Sequence, residues 1–253
     1  MALHAAPLDL ARGFDIARVQ KNGAALQTAA QLHAALEIQS AERVLALGIP
    51  ALDEVLPQGG LVRGSVVELQ ALGSCGAATS FALCACRAAQ QAASAWRQGR
   101  SPEAQRPWCA FIDPSASLFA PGIARLGVEL DRLLVVRPEV DAIERVAIRI
   151  AEAKVVSLLV VDLRGALEGL PVSSQRRQRT VRRLALAVKH LGTCVLLITP
   201  AEPRLALPLP VAMRLEFSRV QADSFEIRVG KERSGRVSSS RRVSWSVFEE
   251  VWQ

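Results

Sequence analysis

The chain has 253 residues, half of them hydrophobic, with a formal net charge of +7. That length suits one large α/β domain with appendages, and that composition excludes a disordered chain. No apolar run reaches the ~20 residues of a membrane-spanning helix. The first residues lack the charged start and apolar run of a secretory signal, so a cytoplasmic or nucleoid-associated protein is expected. The basic excess is almost all arginine and favours an acidic partner, nucleic acid or protein. Cys75, Cys84, Cys86, Cys109 and Cys194 show no CxxC spacing, so buried free thiols are expected rather than a metal or disulfide framework.

In chain order, residues 1–43 read as a separate helical arm. Leu26, Ala30, His33 and Glu37 share one face there, suited to packing or oligomerisation, and no second ligand accompanies His33. The core, residues 44–236, opens with Leu47-Gly-Ile-Pro-Ala-Leu-Asp-Glu-Val-Leu56. Gly59-Gly60 then makes a turn into a short buried strand at Val66, Val67 and Leu69. Ala71 to Gly76 is a small-residue turn, and Thr79 opens an Ala-rich helix over Ser80–Ala95.

Strand, glycine turn and helix together have the layout of a P-loop, in which backbone N–H groups and a helix N-terminus cradle phosphates. An ordinary glycine-rich turn is the competing reading. In a P-loop, a lysine neutralises the outer phosphates and a Ser/Thr hydroxyl holds Mg²⁺. With Gly76 as the second glycine, Ala71 stands at the first, Ala77 at the lysine and Ala78 at the Ser/Thr. No other register helps, because no lysine occurs between Lys21 and Lys154. The expectation is a P-loop scaffold without nucleotide chemistry, needing no cofactor and no metal.

Further on, Cys109-Ala-Phe-Ile-Asp-Pro114 reads as a strand, followed by a helix and a strand ending near Val136. A helix over Ala142–Ala153 leads into Val155-Val-Ser-Leu-Leu-Val-Val-Asp162, an apolar strand ending in a carboxylate in the Walker B manner. A plain hydrogen-bond acceptor at the strand end is the favoured reading of Asp162. Between Leu170 and Ala201 there is no acidic residue. Arg176, Arg177, Arg179, Arg182, Arg183 and Lys189 lie there, on a helix starting near Thr180 with Val181, Leu184 and Val188 inward. These bases suit phosphate, an acidic protein surface or plain solvent, and no interleaved aromatic supports base stacking.

A strand follows at Thr193–Thr199, and two alternating edge strands begin at Met213 and Ser224. Lys231 and Arg233 sit in a basic turn. In the tail, residues 237–253, Val243, Trp245 and Val247 alternate and Phe248 and Trp252 add apolar bulk. This either closes the sheet edge or forms a partner-binding peptide.

Leu52-Asp53, then Gly59-Gly60-Leu61, then Val67-Glu68, then the glycine loop resemble the ATPase core of the RecA recombinase family. The Cys109 strand, the Walker B strand and the basic helix after it fit the same likeness. The resemblance implies an α/β fold: a RecA-like core with a mainly parallel central sheet flanked by helices, carrying an N-terminal helical arm. It implies that Lys231 and Arg233 reach a neighbouring subunit's phosphates, and that the basic segment lies where the family binds DNA. It also places the family's water-activating glutamate at Ser115, so a second catalytic group is missing and no catalytic residue is expected.

A short chain with a degraded P-loop and a basic tail resembles the ImuA family of mutasome accessory proteins, which is related to the SulA cell-division inhibitors. That resemblance implies a non-catalytic role in SOS mutagenesis, DNA repair and translesion synthesis, through contacts with ImuB, RecA or an error-prone polymerase. A DNA-dependent ATPase with a divergent pocket and a SulA-like division inhibitor are the alternatives.

Overall fold

The computed structural model describes residues 43–73, 75–92, 107–164, 174–189, 191–201, 209–233, 235 and 237–249. The arm proposed for residues 1–43 and the position of Trp252 lie outside this set, apart from Arg43.

The chain begins with β1 (Val44–Leu45), the short helix α1 (Pro50–Asp53) and β2 (Leu61–Val62). β1 and β2 pair antiparallel as a two-stranded sheet. The Leu52-Asp53 pair has a clear local job. Leu52 is fully buried, while the Asp53 carboxylate accepts the backbone N–H groups of Leu47, Gly48 and Ile49 at 2.8, 2.9 and 3.2 Å. Ile49 is the N-cap of α1, so its N–H is one that the start of a helix leaves unsatisfied, and the other two donors belong to the loop leading into it. Gly60 is required by close approach: a Cβ there would lie 2.6 Å from the Leu45 carbonyl oxygen.

The main sheet has eight strands in the order β10-β9-β8-β3-β7-β6-β4-β5. β3 is Val66–Ala71, β4 Trp108–Ile112, β5 Leu133–Val136, β6 Val156–Asp162 and β7 Cys194–Pro200. These five are parallel, and β6 is buried along its whole length, as a strand covered on both faces must be. β8 (Met213–Arg219) continues parallel to β3. β9 (Ser224–Glu232) and β10 (Arg241–Ser244) then turn antiparallel. In β8, buried and half-buried residues alternate, the mark of a strand with one packed face. Its more open face carries ion pairs, Arg214 to Glu68 and Arg228 to Glu216.

Two helix layers cover the parallel half. On one face lie α2 (Ala77–Gln91) and α3 (Ala120–Arg125), sharing a core with the inner residues of β3, β6, β7 and β8. α2 packs closely because its sheet-facing residues are small, mostly Ala and Cys. On the other face lie α4 (Ile143–Glu152) and α5 (Ser174–Val188), with Ile143, Ala147, Ile148, Val181, Leu184 and Val188 inward. The resulting architecture is an α/β RecA-like core.

Three boundaries differ from the sequence reading. α2 starts at Ala77 rather than Ser80, because Ala77 and Ala78 continue the helix inward from Gly76, and it stops at Gln91 rather than Ala95. α5 starts at Ser174 rather than Thr180: its first turns carry no apolar stripe, yet Arg and Gln are good helix formers. The tail takes the first of its two readings, a sheet edge. β10 pairs with β9, and a 3₁₀ turn at Trp245–Phe248 folds back onto the core. Phe225 meets the Trp245 ring at 5.1 Å and the Phe248 ring at 5.6 Å, and Phe248 is only 5% exposed. Trp245 and Phe248 thus pack against Phe225.

Candidate functional site

The glycine turn after β3 delivers Gly76 to the first turn of α2, as a P-loop would. Ala77 and Ala78 are fully buried methyl groups. Neither can neutralise a phosphate or ligate Mg²⁺. Thr79, one residue further on, is the first hydroxyl of the helix, and Ala71 ends β3 in the buried core.

Across from it, β6 ends at Asp162, which is 4% exposed. A buried carboxylate must be compensated by a cation or by hydrogen bonds. Arg164 supplies both. Its Nε donates to Asp162 Oδ1 at 3.0 Å and its Nη2 to Asp162 Oδ2 at 2.5 Å, a two-pronged pair. The Arg164 backbone N–H adds a third bond to Asp162 Oδ1 at 3.1 Å. The same Nη2 donates to Thr79 Oγ1 at 2.7 Å. The hydrogen bond that Arg164 donates to Asp162 holds its guanidinium above the ordinary pKa, against the opposing effect of burial, and the charges of Asp162 and Asp113 add to it.

P-loop enzymes hold Mg²⁺ between a hydroxyl of the P-loop helix and the Walker B carboxylate. Here an arginine of the chain itself bridges those two elements. The residues present do not fit a nucleotide with its metal: the lysine and the adjacent hydroxyl are methyl groups, and the carboxylate is taken. Among the described residues, no group of three His, Cys, Asp or Glu side chains could hold a metal ion.

The position of the missing glutamate has a similar structure. Ser115 lies exposed in the turn after β4. Asp113, fully buried, accepts Ser117 N–H and Oγ–H at 3.0 Å each and Leu118 N–H at 3.1 Å. Its carboxylate pins the turn and is not free to activate water. Glu68 is likewise committed. Buried in β3, it accepts Arg214 Nε at 2.7 Å and Thr199 Oγ1 at 3.0 Å.

The basic residues are divided. On α5, Gln175, Arg176, Arg179, Arg182, Arg183 and Leu186 form the exposed face, while Arg177 is partly covered. Arg176 pairs with Glu144 of α4 at 2.9 Å. Like charges three and four residues apart cost about 0.2–0.5 kcal/mol per pair, and positive charge in the first turns opposes the helix dipole. Lys231, half-buried in β9, donates from its Nζ to the Leu209 carbonyl at 2.7 Å. Arg233 is exposed just beyond β9.

Arg164 and Arg214 are the residues that sequence reasoning missed. One signal was available for Arg164: a strand-end carboxylate without a loop lysine needs a cation, and Arg164 follows Asp162 by two positions. Nothing local pointed to Arg214, whose partner Glu68 is 146 positions away.

Fold and corner together describe an α/β protein with a RecA-like core, in which Arg164 links Asp162 at the end of β6 to Thr79 at the start of α2. No family model matches the chain. Its sequence is similar to curated proteins named Protein RecA. That of Kineococcus radiotolerans is 28% identical over 185 residues, covering 68% of this chain and 49% of the relative. That of Rhodospirillum centenum is 32% identical over 165 residues, covering 64% and 41%. That of Gluconacetobacter polyoxogenes is 40% identical over 129 residues, covering 49% and 32%. The chain thus spans half or less of the length of these relatives. No helix among the described residues is long and apolar enough to cross a membrane.

Proposed function

We propose that this chain is a non-catalytic, RecA-like accessory protein of DNA-damage tolerance. It neither binds nor hydrolyses ATP, and it acts through protein contacts in SOS-induced translesion synthesis. The observation that carries the non-catalytic reading is the Arg164 bridge from Asp162 to Thr79, beside alanines at positions 77 and 78. Similarity to proteins named RecA supports a place in DNA repair and recombination. The ImuA-like degraded P-loop supports the narrower role, with ImuB, RecA and an error-prone polymerase as the proposed partners. The DNA-dependent ATPase alternative requires chemistry that Ala77, Ala78 and Ser115 lack; losing such charge stabilisation costs about 3–4 kcal/mol of barrier per group.

The test has two arms. Purified full-length protein is assayed for ATP hydrolysis with and without single-stranded DNA, and affinity-tagged protein is used to capture purified RecA and ImuB. The expected result is no turnover above background with capture of at least one partner. DNA-stimulated turnover lost on Asp162→Ala would overturn the non-catalytic reading. Turnover absent but neither partner captured would overturn the accessory role.

A further inference from the structure

Among the described residues, packing does not account for the face of α5 that points away from the sheet. The helix carries no acidic residue at all. Its neighbour α4 adds exposed Arg145 and Arg149, so the outer surface of this two-helix layer is basic on both helices. The acidic side chains on α4 are few: Glu144 is taken by Arg176, and Glu152 lies at the far end. At the C-terminal end of the α5 stripe stands Leu186, 72% exposed, one turn beyond Arg182 and Arg183.

The charge alone would suit phosphate or carboxylate. The leucine distinguishes them. A nucleic-acid backbone gains nothing from an aliphatic side chain, and no aromatic residue lies on α5 for a base to stack on. A helix with acidic residues along one edge and apolar residues along its seam satisfies both features. Its carboxylates meet Arg179, Arg182 and Arg183, and its apolar seam covers Leu186. Binding would also relieve the repulsion among arginines three and four positions apart, which the free helix leaves largely uncompensated.

From this we infer that α5 is a docking surface for an acidic amphipathic helix of a partner protein, with Leu186 as the apolar contact at its C-terminal end and Arg179, Arg182 and Arg183 setting charge and register. The inference deepens the accessory-protein reading but stands on α5 alone. Turnover of ATP with docking intact would overturn that reading and leave this surface standing.

The experiment measures fluorescence anisotropy of three labelled probes with the full-length protein. The probes are a designed Glu/Leu amphipathic helix, a scrambled peptide of the same composition, and an oligothymidylate. The amphipathic peptide is expected to bind about 10-fold more tightly than the scrambled one. Arg179→Gln/Arg182→Gln/Arg183→Gln should weaken it about 10-fold or more, and Leu186→Ser several-fold, with unchanged circular dichroism. Equal binding of both peptides, indifference to Leu186→Ser, or no peptide binding would overturn the inference. Oligothymidylate binding that alone depends on the three arginines would assign the face to nucleic acid instead.

Discussion

Two sets of arginines in this protein do opposite things. Arg164 points inward and is spent: every donor described for it goes to Asp162 or Thr79, and it ties the end of β6 to the first turn of α2. Arg179, Arg182 and Arg183 point outward along α5, where no acidic residue of their own helix balances them. The difference lies in what surrounds each group. A buried carboxylate creates a demand for a cation, and Arg164 meets it. A solvated helix face makes no such demand, so clustered charge there is a cost to the free chain that packing does not explain.

Several substitutions break or sharpen this contrast. The largest effect should come from the inward set. Arg164→Ala leaves Asp162 buried without a cation and should destabilise the fold by about 2–3 kcal/mol, below the range of about 3–5 kcal/mol for breaking a fully buried pair because Arg164 is partly solvated. Urea unfolding monitored by circular dichroism measures it, and Arg164→Lys should recover only part of the loss because it cannot make the two-pronged contact. Gly60→Ala, which drives a Cβ into the Leu45 backbone, should cost about 1–3 kcal/mol by the same assay without touching either arginine set.

The outward set should behave in the reverse sense. Arg179→Gln/Arg182→Gln/Arg183→Gln should leave stability unchanged or raise it by about 0.5 kcal/mol, since it removes like-charge pairs. Added salt should stabilise the parent protein slightly and the triple variant less, because it screens that repulsion. A fall in stability on neutralising these residues would mean that they serve the fold after all.

Alkaline pH gives a separate check on the core that both sets border. Burial pushes the Cys84 and Cys194 thiols from about 9 up to about 12. The folded state therefore holds these protons where the unfolded chain releases them. Their contribution is fully present below pH 9 and is lost as pH rises from about 9 to 12. Denaturant midpoints should decline over that window, and Cys84→Ala with Cys194→Ala should flatten the decline.

How much of this could be read in the sequence follows the same inward–outward line. The parallel strands were plain, because β6 and β7 carry apolar runs, Leu158–Val161 and Val195–Ile198, buried on both faces. The glycine turn was plain too, and so was its missing lysine. The start of α5 was misplaced because its first turns face solvent and carry no periodicity, only propensity. The tail stayed undecided between edge strand and free peptide because four residues of alternation fit both; only the Phe225 partner decides it. Asp162 was legible as a strand-end carboxylate, whereas its tie through Arg164 to Thr79 joins segments 85 positions apart and is a product of the fold.

The central claim is that Arg164, as well as the lost lysine and hydroxyl, closes the nucleotide corner. Titration calorimetry of ATP with Mg²⁺ tests it most directly, on the natural protein, on Ala77→Lys/Ala78→Thr, and on that pair combined with Arg164→Ala. The account predicts no heat of binding for the first two and saturable binding for the third, provided its far-ultraviolet spectrum is native. Saturable binding by the natural protein, or by the double variant with Arg164 in place, would contradict it.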